Sequence, residues 1–336
     1  MAVIKMNKFV ELPIIEPIYS AYQHQAPASA IVANNPSIRN WLLSNIMNLT
    51  CNRKFLSGFT SPDINVVASS WIHNPHIDIH WMSMKYLKGH VNDVIKNLLD
   101  DGYYVHYREV DDFYIKGKTF YKQRHFSHDG TICGYNRENK TYCIYAYDSN
   151  WVYQKFWTPQ KCFEQGRKSM FKQGVYGFIA GLKPRDEIVE FSSKKTFVAL
   201  KEYLDSNMEK YPENAEGDVY GIVVHEYIAK YLDKLLDNSI PYERMDRRVF
   251  RLIWEHKKAM LERIILIEKE LGWSDEISKK YEPLVKEADT MRMLYASYHM
   301  KRRDSLLKVI KNKLLSLKNT EEILLMELII KQEETK

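Results

Sequence analysis

Residues 120–148 read FYKQRHFSHDGTICGYNRENKTYCIYAYD. Thr131-Ile132-Cys133-Gly134-Tyr135 is a short apolar run of β-forming residues, Asn136-Arg137-Glu138-Asn139-Lys140 is a polar turn, and Thr141 to Tyr147 is a second run rich in aromatic and β-branched residues. Two such runs about a polar turn make an antiparallel hairpin. This one begins at His128 and finishes at Asp148, and in an antiparallel pair the start of one strand lies beside the end of the next. His128 and Asp148 are therefore expected side by side, the carboxylate holding the imidazole in one tautomer so that it works as a general base. The plainer alternative is two polar residues on the rim of a sheet.

Outward from the hairpin, the texture of the chain divides it. Upstream, Tyr103 to Val110 alternates as a strand and ends in Asp111-Asp112, with Phe113-Tyr114-Ile115 continuing it after a break. Tyr86 to Asp101 carries Leu87, Val91, Val94, Ile95, Leu98 and Leu99 at helical spacing, and Gly102 closes that helix. Pro13 and Pro17 make residues 1–22 an extended arm, Pro27 opens a helix that Asn34-Asn35-Pro36 stops, and a second helix runs from Ser37 to about Thr50. Downstream, Trp151 to Trp157 and Tyr176 to Leu182 read as strands around a helical piece from Pro159 to Lys168. His76, Asp78 and His80 alternate along a possible strand and would share a face. A metal site also needs enclosure and outer partners, so these residues are read as a half-exposed polar face and no metal is expected.

After Lys183-Pro184 the composition changes, and from Lys194 onward helices alone are expected, over 194–210, 218–237, 245–271, 275–300 and 302–331. Val249, Leu252, Ile253, His256, Met260, Ile264, Ile267 and Leu271 keep a three-to-four spacing that buries one stripe. The fold class that follows is α+β, with an N-terminal α+β domain over residues 1–190 and an all-α C-terminal domain over 191–336.

The net charge of +6 is diffuse, and its basic residues alternate with acidic ones on amphipathic helices, which points away from a nucleic-acid module. No run reaches the roughly 18 apolar residues of a membrane span, and MAVIKMNKFVELPIIEP lacks the pattern of a signal peptide, so a soluble cytoplasmic protein is expected. The four cysteines, Cys51, Cys133, Cys143 and Cys162, have no CxxC spacing and are read as free thiols.

Three stretches, LLDDGYYVHYREVDDFYI (98–115), HFSHDGTICGYNRENKTYCIYAYD (125–148) and RLIWEHKKAMLERI (251–264), resemble in order and spacing the butirosin biosynthesis protein H-like acyltransferases, which include the amide-forming enzyme of closthioamide assembly. The resemblance implies a papain-like (cysteine-peptidase-like) N-terminal domain. It also implies an acyl group taken from the phosphopantetheine thioester of an acyl or peptidyl carrier protein, held on a cysteine and passed to a small-molecule amine, with no bound cofactor. On it, His128 is the catalytic histidine and Asp148 its orienting acid. The nucleophile belongs at the start of the first long helix, where the dipole lowers a thiol's pKa, with Tyr22 and Gln25 lining the cleft or oxyanion site. That place reads Gln25-Ala26-Pro27-Ala28-Ser29-Ala30 and holds no cysteine. Three readings follow: a cysteine replaced at Ala28, a nucleophilic Ser29, or a family member that binds a natural product or carrier protein without catalysis. Cys51, expected at the end of the second helix, would have its pKa raised by the dipole there.

Overall fold

The computed structural model describes residues 7–31, 35–58, 60–206 and 217–335. The chain forms two compact units, numbered here along one series of elements. Unit 1 comprises Met1–Ile38 and Ser70–Ile188, and unit 2 comprises Arg39–Ser69 and Val189–Lys336. The change in composition after Lys183-Pro184 therefore marks only one of the places where the chain leaves one unit for the other. The segment Arg39–Ser69, expected in the N-terminal domain, belongs to unit 2.

Unit 1 is built on β1 (Phe9–Glu11), β4 (Ile77–Ser83), β5 (Tyr104–Asp111), β6 (Ser127–Asn136), β7 (Thr141–Tyr147), β8 (Tyr153–Pro159) and β9 (Phe178–Pro184). These make one antiparallel sheet in the order β4-β9-β5-β6-β7-β8, with β1 added along the far part of β6. The 120–148 hairpin is present, and the proline-rich arm enters the sheet as β1; the first six residues lie outside the described part. Around the sheet are α1 (Pro27–Ala30), α3 (Met84–Leu87), α4 (Val91–Asp100) and α5 (Gln160–Lys172). Val91, Ile95 and Leu99 on α4 and Phe163 on α5 bury against Val105, Tyr107, Ile132 and Ile144 of the sheet. Gly166 lets α5 come close to β5, since a Cβ there would stand 2.8 Å from Val110 and 2.9 Å from the Asp111 carbonyl.

Two departures in unit 1 bear on the site. The helix opened by Pro27 is a single turn of four residues, all buried, and is no long helix with a developed dipole; Val32, Ala33 and Asn34 of its expected stop lie outside the described residues. Phe113-Tyr114 does not resume the strand but forms a tight 3-10 turn, Asp112–Tyr114, so the chain reverses at the acidic pair.

Helix α2 (Ser37–Asn45) begins at the boundary of the units and ends five residues before the expected Thr50. Unit 2 contains β2 (Leu49–Asn52), β3 (Asn65–Val66), α6 (Ser193–Asp205), β10 (Asp218–Tyr220), α7 (Val224–Leu236), α8 (Val249–Leu271), α9 (Glu276–Lys301) and α10 (Asp304–Glu334). It is mainly helical, but the expectation of helices alone fails at β10, which pairs with β2 in a small sheet that also takes in β3. The β-prone Asp218-Val219-Tyr220 finds an open edge there. The stripe on α8 is buried except for Leu271, and the helix stops at Gly272 with φ 68°. Cys51 sits in β2 and not at a helix end; its thiol is pushed up to about 12 by burial and then by Asp218 and Asp63. Among the described residues, no helix is long and apolar enough to cross a membrane.

Candidate active site

The site follows from the pairing of β5 with β6. Tyr107 faces Gly130, but Val110 faces His128, so one extra residue is accommodated on β5, where Glu109 takes φ 61°. Past this bulge, Asp112 opens the 3-10 turn two residues beyond the partner of His128, within reach of that ring. His128 Nδ1 donates to Asp112 Oδ2 at 2.9 Å. The Asp112 side chain is 2 % exposed and that of His128 31 %, so a buried carboxylate holds an imidazole that solvent can reach.

Asp148 is not that acid. The β6–β7 ladder stops at Thr131 opposite Tyr145, short of the pair that would have matched the two residues. Asp148 instead closes the turn into β8: its Oδ1 accepts from the backbone N–H of Asn150 and Val152, and its Oδ2 from Gln154 Nε2. Burial pushes its carboxyl up, but the hydrogen bonds from Val152, Gln154 and Asn150 outweigh burial and hold it below its ordinary value. A carboxylate that already accepts three hydrogen bonds, two from its own turn and one from β8, is used in holding that turn and not in holding a ring.

Gln23 covers the ring: its Nε2 stands 2.7 Å from His128 Nε2 and 3.2 Å from Nδ1, over the imidazole and not along the Nε2 lone pair, and it donates to Asp129 Oδ1 at 2.9 Å. The amide orientation is forced, because Gln23 Oε1 accepts from Tyr147 N–H at 3.1 Å and from Lys118 Nζ at 3.3 Å, both donors only. Lys118, buried, also donates to the Asp129 carbonyl at 2.9 Å and lies 3.8 Å from Asp112 Oδ1. Burial pushes the Asp129 carboxyl up, but the charges of His106, His128 and Lys118 outweigh burial and hold it below its ordinary value. Beneath it, His106 is fully buried and burial lowers its pKa to about 4, so it is neutral near pH 7.

A second pair stands beside the first. Asp111 Oδ2 accepts from His125 Nδ1 at 2.6 Å and from Ser169 Oγ at 2.7 Å, while its Oδ1 takes the N–H groups of Phe113 and Phe126. Two consecutive acids thus serve two imidazoles.

The other expected site residues fall elsewhere. His128 meets Asp112, Gln23 and Asp129, and neither Ala28 nor Ser29 is among its partners. Ser29 Oγ is buried and accepts from Ile18 N–H at 2.9 Å. Gln25 turns its Oε1 back to Tyr22 N–H at 3.4 Å, so both expected cleft residues are used in holding the local turn. All four cysteines are free and buried; Cys133 and Cys143 lie inside the sheet, where a hydrogen bond between them and burial keep Cys133 far from a thiolate. On β4, Tyr103 donates to Asp78 at 2.6 Å and meets His80 Nε2 at 3.1 Å, while His76 turns to Glu187 at 2.8 Å. Asp78 and His80 therefore meet, at 3.3 Å, but His76 does not join them, and among the described residues no group of three or more His, Cys, Asp or Glu side chains is placed to hold a metal.

Asp111-Asp112 was visible as an acidic end to a strand, but its partner depends on a bulge that no pattern announces. Gln23, Lys118, Asp129 and His106 carried no signal of their own. What the assembled group can do is accept and return a proton at His128 Nε2 once Gln23 moves off the ring. No known family's sequence profile matches the chain, and no curated protein matches it.

Proposed function

We propose that this protein is an acyltransferase that joins an acyl group to an amine, with unit 1 in a papain-like arrangement and His128 as its general base. The observation that carries the proposal is the 2.9 Å contact from buried Asp112 to His128 Nδ1, which leaves Nε2 as the basic nitrogen on an accessible ring. No thiol belongs to the group and Ser29 is committed to Ile18, so the acceptor attacks directly. The amine nitrogen bonds to the thioester carbonyl carbon, His128 Nε2 takes its proton, the C–S bond breaks, and the imidazolium returns the proton to the departing thiolate. Gln23 Nε2, at 2.7 Å from His128 Nε2, is a donor close enough to turn toward the carbonyl oxygen as the substrate displaces it. The donor in this proposal is an acyl group on the phosphopantetheine arm of a carrier protein, and the acceptor is a small-molecule amine.

A second reading has its own support. Gln23 covers the imidazole that a base would use, which suits a protein that binds a natural product or a carrier without transforming it. Acyl-loaded carrier protein and an amine separate the two, with amide followed by mass spectrometry and the intact protein weighed. Direct transfer gives amide that falls about 100-fold or more in His128→Ala, with no acyl mass on the protein. An adduct at Ser29, or rapid amide formation only in Ala28→Cys, replaces the direct route with a covalent one. Binding of the carrier with no amide in any variant sinks the enzyme reading.

A further inference from the structure

The loop that leads into His128 carries rings and cations that its own fold leaves uncompensated. The His128 ring meets Phe126 edge-on at 5.0 Å, Phe126 meets Phe120 at 4.9 Å, and Phe120 meets Trp151 at 6.1 Å between centroids. Phe126 is 37 % exposed and Trp151 54 %. An aromatic strip therefore starts at the imidazole and runs out to the exposed ring of Trp151.

Arg124 lies on this strip, its guanidinium carbon 3.9 Å from the centre of Phe120 and 5.2 Å from that of Phe126. Stacking uses the face of the guanidinium and leaves its N–H edge free, a fork whose spacing fits two oxygens of one anion. Among the described residues no carboxylate pairs with Arg124, nor with the exposed Lys116 and Lys122 of the same loop. In the same unit, Arg137 and Arg167 sit on Asp100 and Glu164. The acids that flank the loop in sequence are turned inward, Asp111 and Asp112 onto His125 and His128, and Asp129 onto Gln23 and His106. The loop thus presents net positive charge beside an apolar track.

We infer that Arg124 on the Phe120–Phe126–Trp151 strip is a phosphate subsite for the acyl donor, a thioester on a flexible arm that bears a phosphate. This rests on the acyl-transfer reading of His128. The rings take the apolar length of the arm, the guanidinium edge takes two phosphate oxygens, and Lys116 and Lys122 add attraction that suits a phosphate better than a single carboxylate. Such an arm comes from free coenzyme A or from a carrier protein.

Calorimetric titration of the full chain with phosphopantetheine and with pantetheine, which differ by one phosphate, tests the subsite without any turnover. The phosphorylated form binds about tenfold tighter, a ratio that disappears in Arg124→Ala and is partly kept in Arg124→Lys. A ratio near one in the wild type, or one unchanged in a folded Arg124→Ala, overturns the subsite. Repeating the Arg124→Ala comparison with coenzyme A and with phosphopantetheine-bearing carrier identifies the source by which of them loses affinity. If the ratio holds and no amide ever forms, the subsite stands and the transfer reading falls; amide formation with no ratio gives the reverse.

Discussion

Asp112 reaches His128 from the neighbouring strand, across the bulge at Glu109, and not from the far end of the hairpin that contains the histidine. Asp112→Asn should therefore keep the ring in place but replace the carboxylate by an amide whose NH2 can face Nδ1 and favour the other tautomer. If His128 is the base, amide formation falls about 100-fold or more, chiefly in kcat. Asp148→Asn keeps an oxygen for the N–H groups of Asn150 and Val152 but sets an NH2 against Gln154 Nε2, so it lowers stability by about 1 kcal/mol and leaves the rate per folded molecule near wild type. Steady-state rates and urea midpoints of the two variants check this. Equal rate losses would restore Asp148 to the site.

Gln23 covers the His128 ring, so Gln23→Ala should open it to reagents. Carbethoxylation of His128 by diethyl pyrocarbonate, mapped by peptide mass, is expected to accelerate several-fold in the variant. His125, held through Nδ1 by Asp111 and already exposed, should react at the same rate in both proteins. An unchanged His128 rate would mean that the amide does not limit access.

Acid should weaken the protein well before its carboxylates titrate. His225 is fully buried and burial lowers its pKa to about 3; burial also drives His256 far down. In the unfolded chain both return to about 6.5. Between these values the unfolded state binds more protons, so the stability these residues confer is complete above pH 6.5 and is lost as the pH falls toward the folded values. Each adds a slope of up to about 1.4 kcal/mol per pH unit in that window. Urea midpoints between pH 7 and pH 4.5 measure this, and His225→Asn should flatten the slope.

The interior of unit 2 holds an ion pair with no exposed atom to spare. Lys257 Nζ donates to Glu321 Oε2 at 2.6 Å, Tyr203 donates to the same oxygen at 3.0 Å, and Tyr281 donates to the other. Glu321→Ala leaves the lysine charge and two phenols without their acceptor and should cost about 3–5 kcal/mol. Replacing both Lys257 and Glu321 by Met should cost less than Glu321→Ala alone, because the stranded charge goes too. A double variant weaker than the single one, by denaturant melting, would refute this.

Most strands and helices were legible because their periods survive in the chain: the 120–148 hairpin, the α4 stripe from Val91 on and nearly all of that of α8 are where spacing puts them, but the helix expected from Tyr86 is interrupted by a 3-10 turn over Lys88–His90, where Lys88 takes φ 50°. The site was legible only in part. His128 announced itself at a strand start, but its acid was misassigned because one bulge residue shifts β5 against β6, and a register shift leaves no mark in composition. Gln23 was missed for a different reason. It comes from the opening arm, 105 residues away in sequence from the ring it meets, and its role is set by Tyr147 N–H and Lys118, which only the folded sheet brings together. The β10 strand was read as helix because three residues are too few to show any period.

Because Arg39–Ser69 belongs with Val189–Lys336, the gene offers no single cut that releases unit 2 whole. A fragment starting at Val189 would lack the Met47 carbonyl that His256 meets at 2.8 Å, the Leu43 and Ile46 carbonyls that hold buried Arg263, and the strand β2 that β10 pairs with. Dissection of this protein therefore calls for two pieces of chain to be co-expressed or spliced, with residues 39–69 fused to the helical part.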